Sequence, residues 1–259
     1  MHPARIAELL QPFLQDANDQ RPLLACPEPS EGTNDALYQR ISTYIHILQR
    51  WNARINLTAI RSEEEIVTRH FGESLFAARH LFPKVYPVSS SVPPVLKGFD
   101  SAEAHSPKAE ARVADIGSGA GFPGIPIKIW EPNLDLTLVE SNHKKATFLR
   151  EVVRAITLTN VDIQNVRAET LPDSSFGLVT LRAVERLTNL LAQSAALLTP
   201  GGRLALLISE SQLKPVISER INLRWDPPIP LPSSKNRIFL IGHANQEGKR
   251  GEGIAGRAV

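Results

Sequence analysis

Arg112-Val113-Ala114-Asp115-Ile116-Gly117-Ser118-Gly119-Ala120-Gly121-Phe122-Pro123-Gly124-Ile125-Pro126 is the stretch that decides how this chain folds. A short apolar run reaches an acid at Asp115, glycines follow at every second position, and an apolar stretch resumes at Ile125 and continues to Trp130. The pattern predicts strand, tight turn, helix. Glycines at 117, 119 and 121 let backbone N–H groups close on a ligand just where a helix begins. Such a turn suits a cofactor with a negative or hydrogen-bond-accepting end. The dinucleotide fingerprint would need its third glycine where Phe122 stands, so a nicotinamide cofactor loses its main support.

Outward from this loop, Leu136-Thr137-Leu138-Val139-Glu140 reads as a strand ending in a carboxylate. It lies about twenty residues past the glycines, where a doubly wound sheet places the acid that takes ribose hydroxyls. A solvated strand end is the plainer reading of Glu140 alone. Strands are predicted at 112–116, 135–139, 161–165, 177–181 and 202–208, with helices at 123–130, 142–156 and 187–198 between them. Pro200-Gly201-Gly202 marks the turn into the fifth strand. A further helix is expected over 213–221, and closing strands around Leu223 and Ile238-Phe239-Leu240-Ile241.

Before the loop the pattern is helical. Ile6, Leu9, Leu10, Phe13 and Leu14 recur at helical spacing, interrupted by Pro12, and Leu37, Ile41, Tyr44, Ile45, Leu48 and Trp51 share a face of a longer helix. Residues 20–34 read as a loop. Ser62-Glu63-Glu64-Glu65 offers a helix start, and that helix should end before Pro83. The chain therefore divides into a helical cap at 1–83, a Pro/Ser-rich linker at 84–110, an α/β domain at 111–244 and a disordered tail at 245–259.

Composition sets outer bounds. The chain's 259 residues suit one sizeable α/β core with a small appendage. Lys and Arg number 29 against 27 Asp and Glu, so any nucleic-acid contact must come from a local patch. One cysteine, Cys26, excludes an internal disulfide or a cysteine-built metal site and fits a reducing cytoplasm. No window approaches the roughly 20 apolar residues of a membrane span. A soluble, cytoplasmic, metal-free monomer is expected.

The run Asp115 to Pro126, then Leu138-Val139-Glu140-Ser141 with Lys144, Lys145 and Phe148-Leu149-Arg150, resembles the RsmG (GidB) family of bacterial small-subunit rRNA methyltransferases. Trp51-Asn52-Ala53-Arg54-Ile55-Asn56-Leu57-Thr58-Ala59-Ile60, Arg69-His70-Phe71 and Ser74-Leu75 resemble the same family's N-terminal part, and the likeness spans most of residues 36–242. The resemblance implies a class I S-adenosylmethionine-dependent methyltransferase, a Rossmann-like seven-stranded sheet with antiparallel closing strands and an N-terminal helical cap. The implied reaction is methyl transfer from S-adenosylmethionine to guanine N7 in 16S rRNA, at guanine 527, with naked rRNA or the small ribosomal subunit as partner.

Site residues follow from the same resemblance. Gly117, Ser118, Gly119 and Gly121 would hold the methionine end, Phe122 would wall the pocket, Glu140 would take the ribose, and Ala168 and Glu169 would meet the adenine. Arg182, ending the fourth strand, is the implied positioning residue, for cofactor or RNA, and its replacement by alanine should abolish transfer with the fold intact. Arg69, His70, Lys144 and Lys145, with Arg150, form an expected basic rim for RNA phosphates. Solvated helix charges and a core histidine are the plainer readings of the same residues. The sequence departs from the family where Glu140 and Glu73 stand for the usual aspartates, Leu181 for a serine, Gly177 for an acid and Ile208-Ser209 for Lys-Gly, with Lys214 a candidate replacement cation. Ile208-Ser209 keeps two alternatives open: a methyltransferase for another RNA or a small molecule, and a binding module without catalysis.

Overall fold

The computed structural model describes residues 1–15, 32–83, 112–182 and 187–246. The expected linker at 84–110, Cys26 with most of its loop, and the tail beyond 246 lie outside the described residues.

A parallel sheet under helices buries its central strands on both faces, as at residues 113–116 and 176–181, and the apolar runs between turn signals become strands. These are β1 (Arg112–Ile116), β2 (Asp135–Val139), β3 (Val161–Gln164), β4 (Phe176–Arg182) and β5 (Leu198–Ser209), followed by β6 (Leu223–Trp225), β7 (Ile229–Pro230) and β8 (Arg237–Ala244). The sheet order is β3-β2-β1-β4-β5-β8-β6, with β7 on β8; β1 to β5 are parallel and β8 runs antiparallel to its neighbours. The chain leaves β1 for β2 and β3 on one side, then crosses to β4 on the other. That reversal opens a crevice beyond the carboxyl ends of β1 and β4, where open α/β sheets bind ligands. The pairs Ile116↔Val139 and Ile116↔Leu181 bring Gly117, Glu140 and Arg182 to this one edge.

Two expectations needed correction. Among the described residues the sheet has eight strands and not seven, because Ile229–Pro230 pairs with Ile238 and Phe239. Asp226-Pro227-Pro228-Ile229-Pro230 does not read as a strand, and proline is tolerated there because the pair is short and at an edge. The fifth strand starts at Leu198, before the Pro-Gly-Gly turn: Leu198 pairs with Phe176 and Arg203 with Leu178, so residues 199–202 form a bulge inside β5.

The cap comprises α1 (Pro3–Leu14), α2 (Gly32–Asn52) and α3, which is α-helical at Glu63–Glu65, π-helical at Ile66–Gly72 and α-helical again at Glu73–Leu81. Tyr44, Ile41, Ile45 and Leu48 on α2 are buried as their spacing predicts. In the α/β half, α4 (Gly124–Trp130), α5 (His143–Ala155), α6 (Leu187–Ala196) and α7 (Glu210–Ser218) cover the sheet. Asn142 Oδ1 caps α5 by accepting from the N–H groups of Lys144 and Lys145 at 3.0 and 3.2 Å. No helix among the described residues is long and apolar enough to cross a membrane.

Candidate active site

The loop after β1 is tied down largely by its own backbone. Gly117 and Ser118 both donate to Val139 O, at 2.9 and 3.0 Å, and Gly121 donates to Ser118 O. Gly119 N–H donates to Glu140 Oε2 at 2.9 Å, and Asn142 N–H to Glu140 Oε1 at 2.7 Å. Glu140 therefore sits buried at the end of β2 with each oxygen taking one protein N–H, and it joins the glycine turn to the start of α5. Lys144 and Lys145 follow on that helix, Lys144 exposed and Lys145 half-buried.

The glycines divide by what they face. A Cβ on Gly117, at φ +67°, would meet nothing within 4 Å, so this side of the turn is open to a ligand. A Cβ on Gly121, at φ +84°, would lie 2.7 Å from Ile125 Cδ1 and against the Tyr44 hydroxyl. Gly121 is thus a packing position under the cap and not part of the open cradle expected for it. The Tyr44 hydroxyl donates to Ala120 O, and burial raises its pKa well above the usual tyrosine range.

Phe122 departs from its expected role in the same way. Its ring stacks on Tyr44 at 5.3 Å and on His70 at 4.7 Å, and meets Phe71 edge-on at 5.0 Å. It joins cap to loop, with aromatic rings packed on it where a pocket wall was expected.

Beneath the loop, Asp115 is 1% exposed and accepts from the Thr180 hydroxyl at 2.7 Å and from Gly124 N–H at 3.3 Å. Burial pushes its carboxyl up to about 6, opposed by these bonds, by Ser118 and by the charge of Arg182.

Arg182 is buried and faces the cap. Its Nη1 donates to His70 Nδ1 at 2.7 Å, and its Nη2 donates to Arg69 O at 2.6 Å and Glu73 Oε2 at 3.0 Å. The guanidinium lies 5.9 Å from the Phe122 ring centre. Because arginine only donates, His70 Nδ1 must accept, its proton is on Nε2, and Nε2 donates to Thr58 Oγ1 at 2.8 Å. Burial and then the charges of Arg182, Arg69 and Arg237 lower the His70 pKa to about 2, so the ring is neutral. His70 is accordingly withdrawn from the basic rim, where a charged and accessible side chain was expected; Arg69 and Arg150 are exposed.

The run from Trp51 to Ile60 earns its place here. Asn52 accepts from Leu57 and Thr58 N–H and donates to Thr58 O, folding the segment so that Thr58 meets His70. Trp51 Nε1 donates to Glu151 on α5 at 2.8 Å, beside the Arg50–Glu151 ion pair.

Ala168, buried, and Glu169, exposed, form a single turn of 3₁₀ helix beyond β3. With its amide turned to suit both groups, Gln193 on α6 accepts from Glu169 N–H at 2.6 Å and donates to Glu169 Oε1 at 3.3 Å. Ile208 is core, and Ser209 starts α7 with its N–H on Gln212 Oε1 at 3.0 Å. Lys214 is exposed on α7. The cation beside Ser209 is instead Arg237, its partner across β5 and β8, whose Nε donates to Glu73 Oε1 at 2.8 Å. Glu73 as the acceptor of two arginines, Arg237 itself and the Tyr44 hydroxyl carried no signal in the sequence, since their partners lie 76 to 164 residues away.

The family described as rRNA small subunit methyltransferase G (GidB) matches residues 37–85 and 97–224. A ribosomal RNA small subunit methyltransferase G of Stenotrophomonas maltophilia is 38% identical over 174 residues, 67% of this chain and 69% of that one. Its counterpart in Xylella fastidiosa is 40% identical over 162 residues, 62% of this chain and 64% of that one. A solved SAM-dependent methyltransferase from Aquifex aeolicus, 16% identical, overlays 52% of this chain and 84% of that one with a TM-score of 0.45. With the family matched across cap, glycine loop and sheet, this chain belongs to the rRNA small subunit methyltransferase G (GidB) family, S-adenosylmethionine-dependent methyltransferases of class I fold.

Proposed function

We propose that this chain transfers a methyl group from S-adenosylmethionine to N7 of a guanine in small-subunit rRNA, guanine 527 by resemblance, in naked 16S rRNA or the small ribosomal subunit. The observation that carries the reading is the buried Glu140 carboxylate at the carboxyl end of β2, bonded to the glycine turn of a chain of this family.

The residues present suit the methyl donor. Gly117 leaves open space above the turn for its amino-acid end. Glu140 takes one N–H per oxygen, so lone pairs remain for ribose hydroxyls. Ala168 and Glu169, braced by Gln193, stand past the next strand as the adenine contacts. When bound, S-adenosylmethionine brings a methyl carbon on a positively charged sulfur. Asp115 lies under the same loop and offers a carboxylate to that charge when ionised.

Guanine N7 has an in-plane lone pair and no proton to lose, so the chain needs no general base. The neutral, buried His70 is suited to hold Arg182 and not to move protons. Alignment of N7, methyl carbon and sulfur is the main task, and such alignment alone supplies effective molarities of about 10⁵ to 10⁸ M. Lys144, Lys145, Arg69 and Arg150 would meet RNA phosphates and set register without reading sequence. Residues 1–83 act as the cap and 111–244 as the catalytic unit, and a single chain carries every residue assigned here.

Labelled S-adenosylmethionine is incubated with the protein and naked 16S rRNA, small subunits or total small RNA, and the modified nucleotide is mapped. One N7-methylated guanine in small-subunit rRNA is expected; label only on other RNA, or none, overturns the reading. Replacing Lys144, Lys145 and Arg69 by alanine should raise KM for RNA and reduce the salt slope of binding by about 1 per lost phosphate contact. Binding of S-adenosylhomocysteine should stay as it was.

A further inference from the structure

Glu73 is 2% exposed and is shared by arginines from two strands that are not neighbours in sequence, Arg182 at the end of β4 and Arg237 at the start of β8. An isolated arginine and carboxylate prefer the side-on, two-bond pairing. Arg182 does not adopt it: only Nη2 reaches Glu73, while Nη1 goes to His70 and Nη2 also serves Arg69 O. Arg237 Nε holds the other oxygen at 2.8 Å. Arg182 Nε is left buried without an acceptor among the described residues, as is Arg237 Nη2. Two unpaired buried donors around one carboxylate are a costly arrangement, and side-on pairing would give one of them, Arg182 Nε, an acceptor.

We infer that Arg237 is a positioning residue for methyl transfer. By holding one oxygen of Glu73 it fixes the orientation of the carboxylate, so that Arg182 reaches it through Nη2 alone; this keeps the Arg182 guanidinium on His70, next to Phe122 of the glycine loop, and leaves its Nε–H donor at the sheet edge. This rests on the proposed reaction for its effect on rate, but not for its effect on geometry. Without Arg237, Glu73 turns both oxygens to Arg182, the guanidinium rotates off His70, and the seam between cap and glycine loop loosens. Arg237 uses a single N–H on Glu73, so a lysine ammonium can hold that oxygen, unlike at a forked site.

The test compares the full chain with Arg237→Met and Arg237→Lys, using Arg182→Lys to assign the Arg182 Nε–H resonance in a proton–nitrogen correlation spectrum. In Arg237→Met that resonance should shift, S-adenosylhomocysteine should bind within about twofold of the parent by calorimetry, and kcat should fall about tenfold or more with a smaller change in KM for RNA. Arg237→Lys should restore the resonance and recover kcat to within about threefold. If Arg237→Met does not fold, Arg237→Gln takes its place, with a shift in the same direction. An unmoved resonance, parental kcat in the methionine variant, or a lysine variant as impaired as the methionine one overturns the inference. If the parent itself methylates no RNA, the proposed reaction fails while the resonance still decides the role of Arg237.

Discussion

Asp115 has both carboxylate oxygens engaged and almost no contact with solvent, so its charge is expensive to keep. The folded chain holds its proton up to about pH 6, whereas an unfolded aspartate releases it near 3.8. Between those values the fold binds more protons than the unfolded chain, so this residue's contribution to stability falls as pH rises through the window and is level above it. At neutral pH the deficit is about 3 kcal/mol. Asp115→Asn should therefore be stabilising by about 1–3 kcal/mol at pH 8, its amide serving Thr180 and its oxygen Gly124, and the gain should vanish toward pH 4. Urea unfolding of both proteins at the two pH values checks this; an equal gain at both would be incompatible with a raised Asp115. Glu73 makes the opposite case. Alanine there leaves Arg182 and Arg237 buried against each other, and a loss of about 3–5 kcal/mol is expected. The same buried pairing revises the expectation for Arg182→Ala, which should lower thermal stability as well as activity; full parental stability would show that the pair is weak.

The glycine turn is the element where sequence and tertiary contact part company. All three alternating glycines look alike in the chain, yet a Cβ would meet nothing at Gly117 and only Gly117 O, at 3.6 Å, at Gly119, while at Gly121 it would collide with Ile125 and Tyr44. Gly117→Ala should cost about 1–2 kcal/mol for its positive φ and weaken S-adenosylhomocysteine binding more than it weakens the fold. Gly121→Ala must also displace Ile125 and the Tyr44 hydroxyl, so it should be the less stable of the two. Calorimetric binding beside thermal unfolding separates them; equal losses in both assays would mean that the two glycines share one role. Tyr44→Phe removes the donor to Ala120 O and should cost about 1–3 kcal/mol while sparing the aromatic stack on Phe122. The π-helical turn at Ile66–Gly72 belongs to this scale too, because it carries His70 and brings Gly72 against Phe13 of α1, where a Cβ would stand 2.7 Å from the ring.

Across the whole molecule the cap is not an appendage resting on a finished domain. One continuous core includes Ile6, Phe13, Tyr44, Leu48 and Phe71 of the cap together with Phe122, Ile125, Leu138 and Phe148 of the catalytic half. A second core lies on the opposite face of the sheet, with Val179, Leu191, Leu204 and Val216. A chain beginning at Arg112 would expose the first core's cap-facing side, and at about 25 cal/mol per Å² of apolar surface it should not remain folded alone. Expression of that piece with and without residues 1–83 supplied separately is the measurement. A soluble, cooperatively unfolding catalytic half would show the cap to be dispensable for stability.

Local pattern determined much of this protein. Alternation of strand and helix, the turn after Asp115 and the acid at Glu140 are set by residues within a few positions of one another, so β1 to β4, α5 and the sheet edge were legible without coordinates. The family likeness rests on equally local runs. Only tertiary structure decided that His70 is neutral and buried, that Phe122 and Gly121 face the cap, and that Arg237 and not Lys214 stands beside Ser209. Burial, ring stacking and shared carboxylates join groups more than a hundred residues apart, as Glu73 joins Arg182 and Arg237, and no periodicity along the chain records which distant side chain will claim the second oxygen of a carboxylate.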